Sequence, residues 1–336
     1  AAATHWLLDL IDPVSGQVPN LGNNDGAYLF PLAPGGFKDY RPVLQAASTA
    51  FLHSPALYRG KWDELSLWMG LHPSPESQEE SQASAPTGIL KVGTNSCWAS
   101  LRAVKHHFRP AHADQLHVDL WAYGENICRD AGTYLYNGQA PWNNPLSGTA
   151  VHNTLTLAGK DQMQRAGRFL WLNPAQAKVL LSKNDEVMAE HDGYRQQGWI
   201  HRRSLKYASP DAFIITDRLV ATRPHSQDSE AVLHWLLPDW PWALTGTSLT
   251  LKAPFGEVRF FIQPQAFTTA PSTHSVEIIR AGENINTTVS IPAYLGWYSP
   301  TYSVKEAALA YRISFPVRRE ISIAMRISIH KTLTIS

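Results

Sequence analysis

Ile321-Ser322-Ile323-Ala324-Met325-Arg326-Ile327-Ser328-Ile329 alternates large apolar side chains with small or polar ones. Successive side chains of an extended chain point to opposite faces, so this run reads as a strand with one side buried. Short alternating or β-branched runs recur upstream at 89–92, 97–104, 116–123, 155–157, 213–220, 258–263, 276–279 and 288–291. Many strands at close spacing predict a mainly β chain, an antiparallel β-sandwich over residues 87–336.

Residues 1–71 have another texture. Helices are predicted at 6–11, at 43–52, where Val43, Ala46, Ala47 and Ala50 fall at helical spacing, and at 62–69. Between the first two lies Pro19-Asn20-Leu21-Gly22-Asn23-Asn24-Asp25-Gly26, a loop of turn formers. The stretch 72–86 is polar, with Pro73, Pro75, Glu76, Glu79 and Glu80, and reads as a linker. Helices lacking a partner layer expose an apolar stripe, so this segment is expected to dock on the sandwich or on residues outside the sequence.

Composition narrows the partners. With 29 basic against 28 acidic residues, the whole-chain field gives no general attraction to nucleic acid or an anionic membrane. No run approaches the roughly 20 apolar residues of a membrane span. The first residues lack the basic-then-apolar form of a signal peptide. Two cysteines, Cys97 and Cys128, are too few for a disulfide scaffold or a Cys-rich zinc site.

The chemistry concentrates in three blocks: Arg109-Pro110-Ala111-His112-Ala113-Asp114, Arg129-Asp130-Ala131-Gly132-Thr133-Tyr134, and Val151-His152-Asn153-Thr154. Two neutral imidazoles and a carboxylate suit Zn²⁺ or another divalent metal, with surface or core histidines as the plainer alternative. On a strand, His112 and Asp114 would share a face, and Asp114 could orient an imidazole instead of binding metal. A second group is Glu190-His191-Asp192-Gly193-Tyr194 followed by His201-Arg202-Arg203. Tyr and His transfer protons; alternatively Asp192-Gly193 is a turn between strands, with Arg202 and Arg203 solvated on opposite faces. Asn20, Asn23, Asn24 and Asp25 suit sugar hydroxyls or simple turn capping. There is no Gly-x-Ser-x-Gly elbow, phosphate loop or dinucleotide fingerprint.

Taken in order, Pro19-Asn20-Leu21-Gly22 with Asn24-Asp25-Gly26-Ala27 and the three blocks above resemble the heparinase II/III-like polysaccharide lyases. Weaker similarity continues at Asp161-Gln162-Met163, His191-Asp192-Gly193-Tyr194 and Gly296-Trp297-Tyr298-Ser299-Pro300. The resemblance implies the last helices of an (α/α) toroid ahead of the sandwich, a bacterial enzyme that is periplasmic or secreted, and a metal held by His112, Asp130 and His152. It also implies β-elimination on a uronic-acid-containing polysaccharide or oligosaccharide. Tyr194, Tyr134 and Arg109 are the catalytic candidates; Asn20, Asn24, Asn153 and His191 are the substrate-binding ones. Many relatives carry a further histidine where this chain has Pro110, and the family's toroid Asn or His and Tyr lie upstream of the first residue here. A non-catalytic carbohydrate-binding or scaffold module is the rival reading, and a metal-dependent hydrolase a third.

Overall fold

A computed structural model of the chain describes residues 1–29, 31–72, 88–209, 211–223, 229–263, 274–318 and 320–332. The predicted linker, residue 72 apart, lies outside them. Two compact units emerge: residues 1–19 with 26–87, and residues 20–25 with 88–336.

The first unit carries helices Ala2–Leu10, Arg41–Phe51 and Glu64–Trp68, close to the three predicted. Leu10, Leu44 and Ala46 are buried. Pro42 stands in the first turn of the second helix, where its missing N–H costs nothing. The Gln45 side chain fastens that helix to the segment 57–63: it accepts from Leu57 N (2.9 Å) and donates to Asp63 Oδ1 (2.7 Å). Among the described residues no helix is long and apolar enough to cross a membrane.

The second unit is built from antiparallel sheets. One has four strands, in the order Ile89–Gly93, Cys97–Arg102, Val118–Ala122, Glu125–Cys128. The largest has eight: Trp242–Thr245, Ser248–Ala253, Gly256–Ile262, Ile321–Lys331, Ala212–Ala221, Trp199–Ser209, Glu186–His191, Ala177–Ser182. A third runs Glu283–Asn284, Ser275–Arg280, Val304–Val317, Ser229–Pro238, Leu155–Leu157, with Trp297–Thr301 pairing beside it. A small hairpin joins Gln164–Gly167 to Leu170–Leu172.

Alternation decides which side chains meet. Along Ile321–Lys331 the residues Ile321, Ile323, Met325, Ile327 and Ile329 are all buried, as their two-residue spacing predicts. They join Phe213, Phe260, Leu233, Trp235, Tyr311, Leu101 and Leu120 in one core supplied by all three large sheets. Each such side chain contributes roughly 1.5–3 kcal/mol on burial.

Two expectations need correction. Residues 288–291 form no strand. The segment from 103 to 117 is irregular, with Leu116 at φ +58°, and the strand begins only at Val118. His112 and Asp114 therefore do not share a strand face; Asp114 turns to accept from Arg102 Nε (2.9 Å).

Candidate metal centre

Three irregular segments deliver the central residues: 103–117 brings His112, the turn after Glu125–Cys128 brings Asp130, and the short 3-10 turn Thr149–Val151 ends at His152. All three side chains are buried, and one ligand atom of each lies within 4.8 Å of the others. The rings of His112 and His152 are 5.2 Å apart.

Hydrogen bonding fixes the ring tautomers. The Thr133 hydroxyl spends its proton on Gly22 O (3.1 Å), so the 3.3 Å contact between Thr133 Oγ1 and His112 Nε2 is donated by the imidazole. His112 Nδ1 is left with a lone pair, buried and without a partner among the described residues. His152 Nδ1 donates to Asp130 Oδ2 (3.1 Å), which leaves His152 Nε2 equally buried and unpartnered. A buried polar atom without a partner costs about 1–3 kcal/mol, and two imidazole lone pairs beside a carboxylate are the donor set that Zn²⁺ takes. The residues fit a divalent metal.

Electrostatics agree. Burial, aided by the charge of His152, lowers His112 to about 4 and keeps it neutral. Burial pushes Asp130 up, but His152 by charge and hydrogen bond, then His117 and His112, hold it well below the ordinary carboxylate range. Burial works against a charged His152, yet Asp130 outweighs it and raises that histidine. A metal at His152 Nε2 therefore competes with a proton for that lone pair.

A shell around the centre went unassigned in the sequence. His117 Nδ1 accepts from Asn153 N (3.0 Å), so its Nε2 carries the proton and stands 3.8 Å from both Asp119 Oδ2 and Asp130 Oδ2. His234 Nδ1 donates to the carbonyl of His152 (3.0 Å). His117 and Asp119 are two residues apart at the start of a strand, a spacing that places both on one face. His234 follows from no local signal, because its partner is 82 residues away.

The other expected residues separate. Asn20 Nδ2 donates to Ser299 O (2.7 Å), and Asn24 lies 3.5 Å from Asn20 Oδ1 and from Pro300 O. Through Gly22 and Thr133 this segment reaches His112. Gly132, at φ +73°, leaves no room for a side chain: an added Cβ would lie 2.2 Å from Asn20 Nδ2 and from Ser299 O. Arg109 is exposed, and Tyr134 is half-buried against Trp142.

Four placements correct the expectations. Asn153 is fully buried, with Nδ2 donating to Val118 O and Arg129 O (both 2.9 Å) and Oδ1 accepting from Leu236 N (2.6 Å). Nothing remains for a sugar. Tyr194 is a core residue whose hydroxyl donates to Leu155 O (2.9 Å), and burial raises its pKa far above the usual tyrosine value. His191 is buried in a chain of hydrogen bonds with His201 and Asp217. Arg203, expected at the surface, is buried against Asp217.

Comparison with known proteins identifies similar chains. The family described as "Heparinase II/III-like, C-terminal" matches residues 90–328. A heparin-sulfate lyase of Bacteroides stercoris is 27% identical over 177 residues, covering 50% of this chain and 22% of that protein. The structure of the heparan sulfate lyase HepC from Pedobacter heparinus superposes with a TM-score of 0.66 at 15% identity, over 98% of this chain and 46% of that one. A heparinase III structure gives 0.64 at 14% identity over 98% and 48%. The chain thus spans less than half the length of these relatives.

Proposed function

This chain belongs to the heparinase II/III-like family, and on that basis we propose that the protein is a polysaccharide lyase that cleaves a uronic-acid-containing glycan by β-elimination. The observation that carries the reading is the pair of unpartnered imidazole nitrogens, His112 Nδ1 and His152 Nε2, beside Asp130 and one residue link from the Asn20–Asp25 segment. The name of the Bacteroides relative, a heparin-sulfate lyase, supports an acidic glycan as substrate.

His112, His152 and Asp130 would hold the metal. When bound, Zn²⁺ or a similar ion supplies fixed positive charge where three irregular segments meet. The remaining chemistry belongs to the side chains. Neutralising the uronate carboxylate makes the C5 proton more acidic, and the exposed guanidinium of Arg109 and the amides of Asn20 and Asn24 are the donors for that task. Loss of the C5 proton and departure of the C4 oxygen with a proton create a C4–C5 double bond, and no water is consumed. Tyr134 is the hydroxyl for proton transfer, since that of Tyr194 is engaged in the core.

Incubating the full-length protein with heparan sulfate, alginate and bacterial exopolysaccharides tests the reading. The expected result is ultraviolet absorbance from an unsaturated uronate in at least one digest. Products that have gained water would identify a hydrolase instead. A second reading, a carbohydrate-binding module, draws on the sealed positions of Asn153, His191 and Tyr194, and binding without cleavage of any glycan would establish it.

A further inference from the structure

The hairpin Gln164–Gly167/Leu170–Leu172 and the loop after Tyr134 assemble an aromatic surface that the proposed elimination does not use. The ring of Tyr136 lies 5.0 Å from that of Phe169 and 5.0 Å from that of Tyr302. Its hydroxyl donates to Asp25 Oδ1 (2.6 Å), which holds the ring in place. Phe169, at the hairpin tip, is 40% exposed. A large aromatic side chain standing in water gains little for the fold, and here exposed Phe169 adjoins the half-buried rings of Tyr136 and Tyr302.

Two nearby cations make no ion pair among the described residues: Arg168, which precedes Phe169 in the chain, and Lys305, three residues after Tyr302. Arg168 donates through Nε to Asn143 Oδ1 (3.0 Å) and through Nη1 to Asn137 Oδ1, while its carbonyl accepts from Asn144 Nδ2 (2.7 Å). Lys305 places Nζ 3.8 Å from the Trp142 ring and 4.0 Å from that of Trp297. Amides and aromatic faces orient a cation without cancelling its charge, unlike a carboxylate. An exposed surface of fixed rings and uncancelled positive charge complements a ligand with a flat apolar face and an anionic edge. A pyranose ring with axial C–H groups and a carboxylate or sulfate has both.

We propose that Tyr136, Phe169 and Tyr302 form a stacking subsite for one acidic sugar unit, with Arg168 binding its carboxylate or sulfate and Lys305 adding attraction at longer range. The ligand class rests on the proposed lyase activity; the location does not. The surface lies beside the Asn20–Asp25 segment, joined to it by Tyr136 and Asp25, so it would lengthen the substrate path along that segment.

Calorimetric titration of the full chain with four probes tests this: a sulfated uronate-containing tetrasaccharide, its desulfated form, a neutral tetrasaccharide and a single-stranded oligonucleotide. The wild type is expected to bind the acidic sugars and not the neutral one. Arg168→Ala and Phe169→Ala are each expected to weaken that binding about tenfold, with circular dichroism and thermal midpoint unchanged, and Arg168→Ala to reduce its salt dependence. Binding of the sulfated probe alone assigns Arg168 to sulfate, and binding of both acidic probes assigns it to the carboxylate. Variants that bind like the wild type, a wild type that binds neither acidic sugar, or equal affinity for the neutral sugar or the oligonucleotide overturns the proposal. Normal binding with no unsaturated product would sink only the lyase reading. Product formed while both variants bind normally would sink only the subsite.

Discussion

Arg203 carries a full charge into the core. Its Nε and Nη2 donate to Asp217 (2.7 and 3.0 Å), and Nη1 donates to the carbonyls of Leu116 (2.8 Å) and Asn153 (2.5 Å). One side chain thus pins the two segments that carry His117 and His152. Removing one partner of a buried pair leaves the other charge uncompensated, so Arg203→Ala is expected to cost about 3–5 kcal/mol in urea unfolding; a change under about 1 kcal/mol would contradict that role. Gly132→Ala forces a Cβ onto Asn20 Nδ2 and Ser299 O at positive φ. It should destabilise by about 1–3 kcal/mol and loosen the Asn20 segment, which hydrogen exchange at residues 20–25 would detect. At this scale the sequence was partly readable. His112, Asp130 and His152 stood out as motif blocks, whereas the burial of Arg203 depended on Asp217, 14 residues away and directly opposite across a strand pair.

Among the elements, strands Glu186–His191, Trp199–Ser209 and Ala212–Ala221 hold a directional chain of hydrogen bonds. Gly193 N–H donates to His191 Nδ1 (3.1 Å), His191 Nε2 donates to His201 Nδ1 (3.1 Å), and His201 Nε2 donates to Asp217 Oδ1 (2.6 Å). Burial, with the neighbouring His201 and the charge of Arg203 adding to it, pushes His191 well below the ordinary histidine value. Burial also lowers His201, against the pull of Asp217. Both histidines are therefore neutral in the folded state. Their folded pKa values lie under the unfolded value of about 6.5, so the unfolded chain binds more protons as pH falls below it. Stability is complete above that pH and declines beneath it by up to about 1.4 kcal/mol per pH unit for each histidine. Asp217 is lowered: burial raises it, but Arg203 and His201 outweigh burial. Its contribution is lost only below about pH 3.9. Thermal melts should thus show a falling midpoint between pH 7 and 5, with a shallower fall in His191→Gln; a flat midpoint over that range would contradict neutral burial. Elements were more legible than residues where alternation was regular, as in Ile321–Lys331. Alternation failed at 109–117, because the backbone there turns through positive φ at Leu116, and at 288–291, whose Thr-Val-Ser-Ile run has strand propensity without a strand partner among the described residues.

Over the whole molecule, the largest core draws on all three large sheets, and His112, Asp130 and His152 come from separate connections between strands. A metal binding these three in the folded chain alone stabilises it by mass action, about 2.7 kcal/mol at a free concentration a hundred times Kd. Adding Zn²⁺ to chelator-treated protein is therefore expected to raise the thermal midpoint, and His152→Ala to abolish the rise. The sheet architecture was foreseen from spacing and alternation; that His112, Asp130 and His152 converge was implied only by the family resemblance, since residues as far apart as His112 and His152 meet through tertiary packing alone. The metal centre itself is decided by elemental analysis of purified wild-type protein beside His112→Ala and His152→Ala, each checked for unchanged β-sheet circular dichroism. The predicted result is about one divalent metal per chain in the wild type and close to none in either folded variant. A wild type that takes up no metal even when Zn²⁺ is supplied, or folded variants that keep a full equivalent, would contradict it.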